Sequence, residues 1–203
     1  MLVIVPVYKD APRTRQALGS FGDPVLVIDN NADQEVKEVI SKYNRIVNPE
    51  NIYVNPAWNK GMEFFLKGGW DLLAIASSDV VMPDKWRDVV ETCYEPGEVY
   101  VPTIVPHLQI LEPAVAEKKE VEGNVPGFFF ILSRAAVELI YLIPEEIKVW
   151  FGDEYIFTKL KKAGYKIMQL TGVECHHFQS SSWDEETPKI IEEDKRAWKK
   201  LNA

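Results

Sequence analysis

Leu72-Leu73-Ala74-Ile75-Ala76-Ser77-Ser78-Asp79-Val80-Val81-Met82-Pro83 is the stretch on which the fold turns. Its first five residues are an unbroken apolar run of strand length. Such a run suits a strand buried on both faces, as in a parallel sheet. The run breaks at Ser77-Ser78-Asp79 before apolar residues resume and stop at Pro83. A carboxylate at the carboxyl end of a central parallel strand stands where open α/β sheets bind ligands. Serine and aspartate also favour turns, so this stretch alone supports a turn and a ligand site equally.

Upstream, Leu2-Val3-Ile4-Val5-Pro6-Val7 has the same buried-strand pattern. Pro6 has no N–H for a ladder, which predicts an end or a bulge there. Residues 8–10 form a loop and residues 11–20 a short helix, on which Arg13 and Arg15 are solvated or meet a phosphate. Residues 24–28 read as a second strand, followed by Asp29-Asn30-Asn31-Ala32-Asp33. One or two of these polar residues cap the helix over 34–43, and the run exceeds what one cap needs. An aspartate here can also accept a hydrogen bond from the base or ribose of a nucleotide. Ile46 and Val47 make a short third strand. Asn55-Pro56-Ala57-Trp58-Asn59-Lys60-Gly61 opens a helix with Pro56 in its first turn, which brings Asn55 and Asn59 close together. Gly68-Gly69 ends that helix.

Downstream, Trp86, Val89, Val90 and Cys93 give residues 84–94 helical spacing. Residues 99–105 form a strand. Residues 107–122 are poorly patterned and read as a long excursion. Asn124-Val125-Pro126-Gly127 leads into a strand over 128–132, and Ser133 caps a helix over 134–141. Trp150-Phe151-Gly152-Asp153-Glu154-Tyr155 opens a helix to residue 163, where two acids in the first turn suit the helix dipole. A late strand covers 165–170. His176-His177 follow, and a strand there would put the two rings on opposite faces, so one at most faces a site. The helix over 188–201 presents Ile190, Ile191, Trp198 and Leu201 for burial. Strands alternate with helices through the first half, without repeats or a flexible linker. The fold class is α/β, with a mostly parallel, mixed central sheet flanked by helices. Residues 1–203 are expected to form a single domain, with regular alternation over 1–105 and a second half, 106–203, that breaks it and carries acceptor-side structure.

The 203 residues are 46% hydrophobic and 27% charged, ordinary for a globular domain. A net charge of −8 and a pI near 5.0 argue against a nucleic-acid partner, which wants a basic face. Cys93 and Cys175 lie far apart without zinc or redox spacing, so a reducing compartment is expected. No apolar run has the length of a transmembrane segment, and the start lacks a signal-peptide pattern. The expected location is the cytoplasm, with peripheral contact at a membrane left open.

In this order, the motifs resemble a family-2-like, rhamnosyltransferase-type glycosyltransferase of the GT-A fold. Residues 3–8 resemble the opening strand, and Val27-Ile28-Asp29-Asn30-Asn31 the nucleotide-facing end of the second. Asn59-Lys60-Gly61 matches the end of the family's Asn-rich helix start. Residues 72–86 resemble the strand with the aspartate motif in its single-aspartate form. Phe151-Gly152-Asp153-Glu154, with Leu160 to Ile167, resembles the acidic motif and its helix exit, and His176-His177 the late histidine segment. Two departures stand out. The acidic pair runs Asp then Glu rather than Glu then Asp, and the aspartate motif keeps Asp79 alone.

The resemblance implies transfer of a sugar from a nucleotide-diphosphate donor to an acceptor hydroxyl, inverting and dependent on a divalent cation. Asp79 is then the metal ligand, helped by His176 or His177 or by the donor phosphates, with Mn2+ or Mg2+ as the ion. Pro6, Val7, Tyr8, Asp29, Asn30, Asn55, Asn59, Lys60, Ser78 and Asp79 would hold the nucleotide sugar. Gly127 and Trp150 lie on the acceptor side, and the acceptor is a glycan, a protein or a lipid-linked molecule. Glu154 occupies the base's slot by position, whereas Asp153 is the expected residue type one place early. Trp150 and Trp183 border motifs and are candidate sugar platforms. A non-catalytic nucleotide-sugar-binding protein is the alternative. A nucleotidyltransferase ranks below it, because residues 5–10 lack a Gly-rich loop.

Overall fold

The computed structural model describes residues 1–106, 112–123, 125, 127–178 and 185–202. His107, Asn124, Pro126, the serines at 180–182 and Trp183 lie outside the described residues. Strand β1 (Leu2–Val7) leads into helix α1 (Ala11–Phe21), β2 (Val25–Asp29), α2 (Gln34–Ile40) and β3 (Asn44–Val47). Then follow α3 (Val54–Lys67), β4 (Leu72–Ala76), β5 (Val80–Val81), α4 (Trp86–Cys93), β6 (Glu98–Val105) and β7 (Lys118–Glu120). The chain continues with β8 (Phe129–Ser133), α5 (Arg134–Ile140), α6 (Gly152–Lys162), β9 (Lys166–His177) and α7 (Thr187–Leu201).

The sheet order is β3-β2-β1-β4-β8-β6-β9-β5, with β7 also paired to β9. The first four strands are parallel. β8 then runs antiparallel between β4 and β6, and β6 and β9 are parallel. The sheet is therefore mixed, with parallel pairing through β3-β2-β1-β4 and again between β6 and β9. Because β8 from the second half sits between strands of the first, the sequence halves 1–105 and 106–203 interleave in one sheet.

Alternation along the strands builds the two faces. Val3, Val5 and Val7 join α1, α2 and α4 in one buried cluster, through Phe21, Val36, Trp86 and Val90. Leu2 and Ile4 join α3, α5 and α6 in the other, through Met62, Phe65, Val137 and Ile156. The result is helices on both faces of a central sheet.

Four expectations change. β1 runs through Pro6 to Val7 without a bulge, since Pro6 pairs with Ile28 on β2. The ladder to β4 stops at Ile4 and Ile75 instead. The Val7 carbonyl accepts from Asn30 on the β2 side, so by alternation an N–H at position 6 would face β4. The excursion after β6 contains β7, which hydrogen-bonds to β9. The late strand reaches His177 rather than residue 170, because β9 shifts register between Pro102 and Thr103 of β6 and resumes pairing at Glu174. On α7, Ile190 and Ile191 are buried, but Leu201 is 46% exposed.

α3 crosses β1 closely at Gly61. A Cβ there would lie 2.4 Å from Ile4 Cδ1 and 3.1 Å from Ile4 Cβ. Gly61→Ala is expected to lower unfolding stability by about 1–3 kcal/mol, the usual cost of overpacking a core. A urea midpoint equal to the parent's would show that Ile4 repacks without cost.

Candidate functional site

A cavity of about 570 Å³ opens where β1 and β4 part, at the carboxyl ends of the strands. β1 continues to β2 on one side, while β4 enters on the other. This is the switch point at which open α/β sheets bind ligands. Pro6, Val7, Tyr8 and Asn30 line it from the first two strand ends, and Ser77, Ser78 and Asp79 from the fourth. Gly127 before β8, Trp150, and Asp153 and Glu154 at the start of α6 line it as well, as does His177.

The β5–β9 ladder pairs Val80 with His177 and Val81 with His176. The alternation sends His177 toward the cavity. Its Nε2 lies 3.4 Å from Asp79 Oδ1, and its ring stacks on Phe128 at 4.5 Å. His176 is buried against Phe178, and its Nδ1 has no hydrogen-bond partner among the described residues. The structure does not bring His176 to the cavity.

Asp153 and Glu154 sit in the first turn of α6. Asp153 accepts from the Gly127 N–H at 2.8 Å and the Glu154 N–H at 2.9 Å. Gly127 makes room for this, because a Cβ there would stand 2.2 Å from Asp153 Cβ. Burial pushes the Asp153 carboxyl above its ordinary value, while the two N–H bonds pull it down. Burial raises Glu154 as well, and the neighbouring Asp153 charge adds to it.

Four of the expected nucleotide residues face elsewhere. Asp29 is 1% exposed, and its Oδ1 accepts from the Ala32 N–H at 2.8 Å, an Asx-type turn that closes the loop after β2. Asn55 donates to the carbonyls of Ile147 and Trp150. Asn59 both donates to and accepts from the backbone of Ile143, at 2.9 and 2.8 Å. These two asparagines hold the segment before α6 rather than a ligand. Lys60 Nζ meets Asn48 Oδ1, and Asn48 donates to Asn30, which donates to the Tyr53 carbonyl. Lys60 thus acts on the cavity wall through Asn48 and Asn30.

The sequence reading missed Asn48, Tyr53, Trp58 and Asp194. Tyr53 carries a φ of 66° at the start of α3 and lines the cavity, as does Trp58. Asn48 precedes a proline, a turn signal. Asp194 lies on the buried stripe of α7 with Ile190, Ile191 and Trp198. An acid at a stripe position is the signal that could have singled it out.

Among the described residues lining the cavity there is no lysine or arginine, against three carboxylates. Cation ligands about 2.1 Å from one ion stand roughly 3.0–3.4 Å apart in adjacent positions. Asp79 Oδ1 and His177 Nε2 meet that spacing. No cluster of three His, Cys, Asp or Glu suited to a metal forms among the described residues. An ion held by this pair would take its remaining oxygens from a ligand and water.

No protein-family model matches the sequence, and no curated protein matches it. Solved structures match in fold. The crystal structure of GalNAc-T7 with UDP, GalNAc and Mn2+ has a TM-score of 0.67 at 12% identity, covering 94% of this chain and 47% of that one. S. aureus TarS 1–349 has a TM-score of 0.65 at 13% identity, covering 96% and 70%. The same TarS fragment in complex with UDP has a TM-score of 0.63 at 13% identity, covering 95% and 63%. This chain thus spans less than half the length of the GalNAc-T7 chain. The shared architecture is the GT-A glycosyltransferase fold. Among the described residues, no helix is long and apolar enough to cross a membrane.

The raised carboxyls carry a stability consequence. A group whose folded pKa lies above its unfolded value destabilises the fold as pH rises through the folded pKa. Relative to the parent, Glu154→Gln is therefore expected to gain stability from below pH 4.5, the ordinary glutamate value, to neutral pH. Urea unfolding at the two pH values measures the difference. A gap that stays constant or shrinks with pH defeats this reading of the Glu154 environment.

Proposed function

We propose that this chain is an inverting, divalent-cation-dependent glycosyltransferase that moves a sugar from a nucleotide-diphosphate donor to an acceptor hydroxyl. One observation carries the reading: the Asp79–His177 pair and the Asp153–Glu154 pair line one cavity at the switch point. The rhamnosyltransferase-type assignment rests on the ordered sequence motifs. Fold neighbours whose crystal structures hold UDP make UDP the first nucleotide to try.

Asp79 and His177 would hold a Mn2+ or Mg2+ ion, which when bound neutralises the diphosphate leaving group. A cavity whose described lining has three carboxylates and no lysine or arginine would otherwise repel a diphosphate. The ends of β1 and β2, with Tyr8, Asn30 and Ser78, would seat the nucleotide and sugar. The acceptor approaches from the Trp150 side, where that residue is 39% exposed. Its hydroxyl oxygen forms the new bond to the anomeric carbon as the bond to the diphosphate breaks. Glu154 takes the hydroxyl proton, and nucleoside diphosphate leaves. Attack on the face of the anomeric carbon opposite the departing diphosphate gives inversion. Asp153 has both oxygens on backbone N–H groups and so suits holding the turn, while raising the affinity of Glu154 for a proton through its charge. Both cysteines are free, which supports a cytoplasmic location.

Glu154→Gln is expected to slow transfer by about 10²–10⁴ with nucleotide affinity kept, the range for losing a general base. Asp153→Asn should be milder in rate. A donor panel scored for released nucleoside diphosphate checks both, and a larger loss in Asp153→Asn reverses the assignment. Asp79→Asn is expected to abolish the gain in UDP affinity that Mn2+ gives. Calorimetry in which Mn2+ still tightens UDP on that variant would remove Asp79 from the metal site.

A further inference from the structure

Asp194 is wholly buried on α7. Its hydrogen-bond partners among the described residues are three successive backbone N–H groups. Oδ1 accepts from Lys148 at 2.8 Å, and Oδ2 accepts from Val149 at 2.7 Å and from Trp150 at 2.8 Å. Three N–H groups converging on one carboxylate form a concave anion cradle, here filled by a side chain of the same protein. The other side of this loop is held by α3. Asn55 donates its N–H to the Lys148 carbonyl, and its side chain donates to the carbonyls of Ile147 and Trp150. Residues 147–150 are thus gripped between α3 and α7.

The next residues are Phe151, at a φ of 62°, and Gly152, against which Asn55 Oδ1 packs so closely that a Cβ would lie 2.1 Å from it. Phe151 stacks on Trp198, one turn beyond Asp194 on α7, with centroids 5.3 Å apart and planes 7° from parallel. Asp153 and Glu154 follow directly. No slack separates the gripped loop from the acidic turn.

We propose that Asp194 is a positioning residue: by holding the 148–150 backbone it fixes the first turn of α6, and with it the place of Glu154 and of Trp150 in the cavity. The role of Glu154 in this statement rests on the glycosyltransferase reading above, whereas the mechanical coupling does not. α7 is then part of the catalytic geometry and not merely a cover for the sheet. The nucleotide side, built on β1, β2 and β4, lies outside the grip.

The test uses the full chain with Asp194→Asn, whose amide keeps one acceptor oxygen and turns an N–H₂ group toward donors. Hydrogen exchange is expected to speed up beyond the contacted residues, across 148–155 and at the Gly127 amide that Asp153 holds, while residues 2–7 stay protected. Sugar transfer per folded molecule is expected to fall by roughly 10- to 100-fold, as misplacement of reacting groups does, with UDP affinity in Mn2+ unchanged. Faster exchange confined to 148–150 with transfer intact would overturn the proposal and leave Asp194 a local structural group. If Asp194→Asn does not fold, Trp198→Leu, which loosens Phe151 from the same helix, must give the same exchange pattern or the coupling is refuted. If the parent itself transfers no sugar, the glycosyltransferase reading fails, and the exchange pattern still decides the coupling.

Discussion

The missing N–H of Pro6 sets the geometry on which the rest depends. Alternation along β1 directs even positions toward β4, so the ladder cannot continue past Ile4 and Ile75 with proline two residues on. The β2 side is unaffected, and β1 stays paired there through Val7. One strand therefore remains half zipped, and the sheet splits at the point where the strand order reverses. Ser77 instead donates its N–H to the Phe128 carbonyl of the segment entering β8. The opened space carries Ser78 and Asp79 into the cavity and leaves Gly127 facing the acidic turn of α6.

The two walls of the cavity are made rigid by different means. On the strand side, ladders do the work, and Asp79 and His177 are placed by the β5–β9 pairing. On the helix side there is no ladder. The turn before α6 has its backbone groups satisfied by side chains: Asn59 on Ile143, Asn55 on Ile147 and Trp150, and Asp194 on residues 148–150. A buried backbone group without a partner costs about as much as a lost hydrogen bond. These three side chains therefore decide whether an irregular segment can sit inside the fold at all.

That difference explains what the sequence made legible. β1, β2, β4 and β8 are continuous apolar runs, and buried parallel or central strands leave that signature. The switch-point cavity follows from their order, so Asp79 and the acidic turn were within reach of sequence reasoning. The asparagines were not. Asn55 and Asn59 have the donor and acceptor set of ligand-binding groups, and nothing local distinguishes an amide that binds a sugar from one that binds a loop some 90 residues later. Asp29 is similar, because a strand-end aspartate can face a ribose or turn back to its own chain. β9 was cut short because Thr171, Gly172 and Val173 interrupt the pairing with β6. Such an irregularity depends on the partner strand rather than on residue type.

His176 and His177 show how far periodicity alone can carry an assignment. Two adjacent histidines on a strand must diverge, and pairing with β5 decides which one turns inward. His177 gains an aromatic shelf in Phe128 and a carboxylate in Asp79. His176 is enclosed, its Nδ1 without a partner among the described residues. A one-residue slip of β9 against β5 would exchange the two rings, since side chains alternate with a period of two. The three residues of β9 between its two paired segments are what allow its second half to choose its register independently of the first. An irregular stretch far from the cavity in sequence pattern thus fixes which imidazole stands beside Asp79.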